Sequence, residues 1–335
     1  MLVVFARRLI AIPLVLWATT TLTFLVMRLV PGDAVDVLAA NLPDPREQAA
    51  IRAEWGLSRP LWGQYTSFMG GLLHGDLGVS LTSGTPVDAL LAGRFPATVE
   101  LAVVAMVLTA ALGIGLGVLS AVTRNSPLDY LCRGVALLGF AVPWFWFALM
   151  LIVVFAVRLR WTPVNGRLNP LVDFHPRTGF YLLDTALDGD WPLFLDALRH
   201  LALPALALGL TGAGFMARTV RATLLDTLHR DYVRTARAKG LPPANVTLRH
   251  ALRNALVPIV TLLGVQFGSL LGGALIVESI FAWPGVAKLL VDSIFARDYP
   301  VVQGGVILIA AMFVLANAAT DIAVSYIDPR VRQEG

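Results

Sequence analysis

The chain has 335 residues, 57% of them hydrophobic and only 14% charged. Soluble domains are about 25% charged, so the composition excludes an ordinary soluble protein and points to an integral membrane protein. The net charge is +4 and the cations are mostly arginine, with Lys239 and Lys288 the only lysines. These arginines border apolar runs and form no single stripe, which argues against nucleic-acid binding. The one cysteine, Cys132, excludes an intrachain disulfide and a cysteine metal site.

A bilayer core of about 30 Å calls for roughly 20 apolar residues per crossing helix. The first candidate span is Leu9–Met27, behind Arg7 and Arg8. It ends in R-L-V-P-G-D without a small-residue cleavage site, so an uncleaved first span is expected. A large loop, about Pro31 to Pro96, follows. Its A-E-W-G-L and P-L-W-G-Q-Y segments predict two short amphipathic helices around the turn-prone S-R-P. G-D-L-G-V-S-L-T-S-G-T-P-V then reads as a short extended piece and a turn.

Further spans are expected at Leu101–Thr123, Gly134–Val157, Leu201–Ala217, Asn254–Val277 and Tyr299–Thr320. The fourth is shortest, and its ends are expected to recruit His200 or Arg218 by snorkelling. Glu100 reads as a structural acid opening the second span near a helix N-terminus. The second outer loop, 158–199, predicts an irregular cap with one or two helical turns at F-Y-L-L-D-T-A-L. In the third, 278–298, apolar residues at 286, 289, 290 and 294 predict an interfacial helix, with Trp283 in the aromatic belt. Gly113 and Gly117, Gly264 and Gly268, and Gly268 and Gly272 stand four apart, a spacing that suits close packing within the chain or between subunits.

Lys/Arg bias orients the spans. The N-terminus, the loop after span two (Arg124, Arg133), the segment after span four and the D-P-R-V-R tail are basic and fall on one side. The first outer loop carries Asp33, Asp36, Asp44, Glu47, Glu54, Asp76 and Asp88. This gives an all-α polytopic membrane protein with six transmembrane helices and both termini cytoplasmic. It divides into residues 1–30, an extracytoplasmic domain 31–97 and a five-helix core 98–335.

The segment after span four, residues 226–256, is strongly basic. Tyr232, Val233 and Ala236 fall on one side of a helix, with Arg230, Arg234, Arg237 and Lys239 around the rest. Gly240 and Pro242-Pro243 stop it. A second helix follows, with Val246, Leu248, Ala251, Leu252 and Ala255 at helical spacing. The two helices predict a stiff knob in the cytoplasm.

R-T-A-R-A-K-G, Arg234 to Gly240, resembles the E-A-A-x-x-x-G signature of binding-protein-dependent ABC importer permeases. D-Y-V-R-T-A-R-A-K-G-L (Asp231–Leu241) and H-A-L-R-N-A-L-V-P (His250–Pro258) resemble the peptide/nickel branch more closely. So do R-L-V-P-G-D (Arg28–Asp33), G-D-L-G-V-S (Gly75–Ser80), F-P-A-T-V-E-L (Phe95–Leu101), E-S-I-F-A-W-P-G (Glu278–Gly285) and R-D-Y-P-V-V-Q-G (Arg297–Gly304). Arg234 and Thr235 stand where the general signature has Glu and Ala, and the gap from Gly240 to Pro258 is longer, both as in the peptide branch.

The resemblance implies a type I ABC importer permease fold in a bacterial or archaeal cytoplasmic membrane, and the first-permease, B-type subunit of a di-/oligopeptide importer. It implies a second homologous permease, two cytoplasmic ABC ATPase subunits and an extracytoplasmic substrate-binding protein as partners. Asp231, Tyr232, Arg234, Thr235, Ala236, Arg237, Lys239 and Gly240 would form the coupling helix. ATP and magnesium are expected in the ATPases and no cofactor in this chain. Neither lysine follows glycine, so no phosphate loop of the Gly-Lys type is present. The competing reading is an ion-coupled secondary transporter acting alone, which predicts repeats and mid-membrane acids. Glu278, Gln266, Ser269 and Asn317 are the pathway candidates in the spans, and Asp321 is a further acid near a span end. The five histidines are scattered and no catalytic motif occurs, so no metal site and no enzyme are expected.

Overall fold

A computed structural model describes residues 2–38 and 44–327. The D-P-R-V-R tail falls outside them. The described elements are α1 (Leu2–Leu29), α2 (Ala34–Leu38), α3 (Pro45–Glu54), α4 (Leu61–Leu73), α5 (Val87–Val122), α6 (Pro127–Ala141) and α7 (Trp144–Leu151), which continues as a π-helical turn at Ile152–Arg158. Then come α8 (Tyr181–Leu187), α9 (Trp191–Leu228), α10 (Asp231–Ala238), α11 (Pro243–Asn245), a π-helical turn at Val246–Leu252, α12 (Arg253–Ile280), α13 (Val286–Phe295) and α14 (Tyr299–Ile327). The expected helices of the outer loops appear as α3, α4, α8 and α13, and the extended piece appears as a single bridge between Val79 and Pro86.

Four described helices are long and apolar enough to cross a membrane: α5, α9, the Pro243–Ile280 run and α14. The expected third span differs. It is broken into α6 and α7, bent by 107°. Pro143 has no N–H and forces Val142 into extended backbone (φ −87°, ψ 128°), so the helix cannot run through. The apolar stretch Pro13–Leu29 of α1 is shorter than the others. The helix that carries the fourth span, α9, extends well beyond its apolar window and runs 38 residues. His200 therefore does not snorkel; it is buried, with Nδ1 2.9 Å from the Asp196 carbonyl.

One compact unit comprises Val99–Trp283 and the chain from Phe313. Its interior is built on glycine. A Cβ at Gly113 or Gly117 would meet Cβ of Met216 at 2.5 Å or of Val220 at 2.6 Å, so α5 and α9 lie backbone against side chain. Gly264 and Gly268 face Thr320 and Phe313 of α14 in the same way, while Gly272 faces open space. Gly139 and Gly214 let α6 and α9 touch at their backbones. Of the glycines expected to pack closely, Gly113, Gly117, Gly264 and Gly268 do so within the chain and Gly272 does not.

The other unit comprises Leu2–Thr98 and Pro284–Met312. Val87, Leu91, Val286 and Val301 form its buried core, with Leu77, Phe95 and Leu289 packed against them. Asp298 is 1% exposed and holds the Gly75–Pro86 turn. It accepts from Ser80 Oγ at 2.5 Å, Thr82 Oγ1 at 2.8 Å and the amides of Leu81 and Thr82. Arg297 donates to the Pro31 carbonyl and Tyr299 to that of Gly32. Thr98 Oγ1 accepts from the Val286 amide at 2.8 Å, closing the start of α13.

Candidate functional site

Helix α9 ends at Leu228, and only His229 and Arg230 separate it from α10. A connection this short restricts the direction of α10. Val233, Ala236 and Val246 form a buried cluster with Leu228 packed against it, so α10 is bolted to the end of α9 and to the π turn. Its C-terminus is closed by a Schellman pair: Leu241 N–H to the Ala236 carbonyl at 3.4 Å and Gly240 N–H to that of Arg237 at 2.9 Å. This requires φ of +75° at Gly240, which glycine adopts without strain. The sequence explains the shape: apolar residues three apart inward, glycine at the stop, then two prolines.

Of the eight residues expected in this segment, Asp231, Tyr232, Arg234, Thr235, Arg237, Lys239 and Gly240 are exposed. Ala236 is buried at 7% exposure and belongs to the anchor. Tyr232 does not share the face of Val233 and Ala236; it is 43% exposed. The outward face therefore carries one aromatic ring among four cations counting Arg230, with Asp231 3.6 Å from Arg234 as an exposed, weak ion pair.

The second helix packs four of its five expected apolar positions inward, with Leu252 against the buried cluster, and departs from expectation only at Leu248. Val246, Ala251, Ala255 and Ile259 are buried, and Leu248 is 56% exposed. The step of five from Val246 to Ala251 is a π spacing. The wider turn rotates Leu248 off the inner face and adds it to the exposed surface of the elbow.

Two buried charge clusters support this unit. Asp129, at the start of α6, is wholly buried and receives Arg221 of α9 in a two-pronged bond, Nε at 3.0 Å and Nη2 at 2.8 Å. Ser120 of α5 and the Asn125 amide complete its shell. Nothing in the sequence singles out Asp129 or Arg221. Glu100 lies in mid-helix, not at a helix start, because α5 begins at Val87. It binds Arg167 at 2.5 Å and the Leu182 amide, in the first turn of α8, at 2.7 Å. Arg167 lies 3.7 Å from the Tyr181 ring centroid and 5.5 Å from that of Trp283. Trp283 is 1% exposed and sits in this buried cluster, not in an aromatic belt.

The pathway candidates separate. Gln266 donates to the Gly212 carbonyl at 3.1 Å and ties α12 to α9. Glu278 is fully buried. Asn317 is half-buried, and Ser269 and Asp321 are exposed. No group of three or more His, Cys, Asp or Glu that could hold a metal occurs among the described residues.

An apolar, multi-helix chain with a basic elbow between its long spans defines a class: a polytopic membrane component. Comparison with known proteins makes this specific. Residues 113–333 match the family described as binding-protein-dependent transport system inner membrane component, and residues 1–102 match its N-terminal counterpart. The chain is 46% identical over 335 residues to the di/tripeptide transport system permease protein DppB of Pseudomonas aeruginosa (strain UCBPP-PA14), covering all of both chains. It is 45% identical over 319 residues to the dipeptide transport system permease protein DppB of Escherichia coli K12, covering 94% of each. A solved inward-facing structure of the MetNI methionine ABC transporter aligns with a TM-score of 0.56 at 17% identity, over 71% of this chain and 96% of that one, a likeness of fold. The chain belongs to the binding-protein-dependent transport system inner membrane components. It is a multi-pass inner-membrane permease of an ABC importer and not an enzyme.

Proposed function

We propose that this permease is one of two membrane halves of an ATP-driven importer of di- and oligopeptides, and that the α10 elbow is the lever through which ATPase subunits move it. A second permease of the same family forms the other half, an extracytoplasmic binding protein delivers the peptide, and ATP with magnesium is held by two ATPase subunits. Both termini and the elbow face the cytoplasm, following the Lys/Arg bias. The observation that carries the mechanism is the bolting of α10 to the end of α9: force applied to the exposed Tyr232–Lys239 face reaches a 38-residue helix without passing through a flexible loop. Nucleotide would bias two states of the membrane helices through that contact. The names of the relatives support the peptide cargo.

The test is reconstitution of the complete importer, binding protein included, in proteoliposomes. Replacing Tyr232 by Ala together with Arg234 by Glu should leave the complex folded but lower ATP-driven dialanine uptake about tenfold or more, with ATPase activity no longer stimulated by loaded binding protein. Uptake by this chain alone, without ATPase subunits, would sink the reading.

A further inference from the structure

The unit of Leu2–Thr98 and Pro284–Met312 contains a cavity of about 360 Å³ that the elbow mechanism does not use. Its wall is drawn from the end of α1, the α3–α4 turn, the turn after α4 and the first turns of α14.

Arg28 is held there in a fixed pose. Its guanidinium lies 4.3 Å from the Tyr299 ring centroid and 4.7 Å from that of Phe24. Its Nε donates to Gln64 Oε1 at 2.8 Å. Gln64 in turn spends its Nε2 on the carbonyls of Leu57 and Arg59, which fixes its oxygen toward Arg28. Arg28 Nη1 is then buried with no partner. Gln303, one turn along α14 from Tyr299 and 3% exposed, also has a buried Nε2 with no partner. Both residues line the cavity, and a buried donor without a partner is costly unless an acceptor arrives.

A carboxylate is the matching acceptor, because each of its oxygens can take one donor and the bonds to Arg are charge-assisted. Glu54 and Asp76 line the same cavity. They disfavour a free dianion such as phosphate and favour a ligand that carries its own cation. Trp55 and Phe68 supply apolar wall for a side chain. The volume lies within the range of small-ligand sites.

We propose that this cavity binds a small zwitterionic peptide, its C-terminal carboxylate on Arg28 and Gln303 and its ammonium toward Glu54 and Asp76. This rests on the peptide-importer reading and adds a holding site within the permease on the extracytoplasmic side.

The test is equilibrium binding of radiolabelled L-alanyl-L-alanine, and of its C-terminal amide, to the purified permease–ATPase complex without binding protein. Dialanine should bind about tenfold better than the amide. Arg28→Lys, which keeps the charge but loses the fork, and Gln303→Leu should each weaken dialanine binding about tenfold, and Gln303→Leu, which removes a donor that has no partner, should do so without lowering the melting midpoint. Equal affinity for dialanine and amide overturns the proposal and needs no variant. Variants that weaken docking of the binding protein but not dialanine binding also overturn it, and assign the carboxylate to that protein. If the complete importer accumulates dialanine while the cavity does not bind it, this inference alone fails. If it accumulates no peptide, the importer reading fails first.

Discussion

Asp298 shows how much one side chain can fasten. It is buried and takes four hydrogen bonds from the Ser80–Thr82 turn, so its removal strands several donors at once. Asp298→Ala should destabilise this unit by roughly 3 kcal/mol, since each stranded buried donor costs about 1–3 kcal/mol; a lowered melting midpoint with early proteolysis near residue 81 is the expected sign. Glu100→Gln should be of similar size, about 3–5 kcal/mol, because it leaves the buried Arg167 without its counter-charge. Adding Arg167→Met should recover part of that loss, which a chemical-denaturation series would show. Asp33 supplies a pH effect. Partial burial opposes its ionisation, but the hydrogen bond from Arg52, the amides of Asp36 and Val35 and the Arg52 charge together hold the carboxyl below its ordinary value. A depressed folded pKa gives stability that is present above the unfolded value, about 3.9, and lost as pH falls through the folded one. Arg52→Gln should therefore flatten the acid limb of a melting profile read by Trp55 fluorescence. Little of this was legible beforehand. The strings R-L-V-P-G-D, G-D-L-G-V-S and R-D-Y-P were visible as motifs, but nothing local says that Arg297 reaches Pro31 or that Asp298 reaches Ser80, more than 200 residues away.

At the scale of elements, the elbow was legible where its signals are local. Gly240, the two prolines and the inward Val233 and Ala236 follow from capping and spacing. Two separate causes misplace Tyr232 and Leu248: Tyr232 precedes Val233 by one position and so points about 100° round α10 from it, while the π turn at Val246–Leu252 shifts the register at Leu248. Leu248 and Ala251 provide a clean contrast. Leu248→Ala should leave the melting midpoint unchanged, because the side chain is largely exposed, whereas Ala251→Leu should cost about 1–3 kcal/mol by overpacking a fully buried site. Gly240→Ala meets no neighbouring atom, so its cost is the backbone strain of a positive φ, about 1–2 kcal/mol, and should appear as fraying of α10 in hydrogen exchange. Proline was the ambiguous signal. Pro96, Pro204 and Pro258 lie inside helices that continue, while Pro143 breaks one, and a single sequence does not say which will do so.

For the whole molecule, composition alone forced a membrane protein, and the long apolar windows fell on α5, α9, α12 and α14. What composition missed is the bend between α6 and α7, because an apolar count is blind to direction. The orientation follows from counting arginines and has a direct check. On a Cys132→Ser background, a cysteine at Arg237 should react with an impermeant maleimide only from the cytoplasmic side, and one at Asp188 only from the opposite side. The reverse pattern would remove the elbow from reach of any ATPase.

The bare backbone of Gly113 and Gly117 against Met216 and Val220 has a further consequence for movement. Two rods meshed that closely cannot slide or roll past one another without collision, so α5 and α9 must travel together like a single plank. Spin labels on the two helices should keep a constant separation through the ATP cycle, and flexing should appear instead where the chain is already irregular, at Val142–Pro143 and in the widened turn after Asn245.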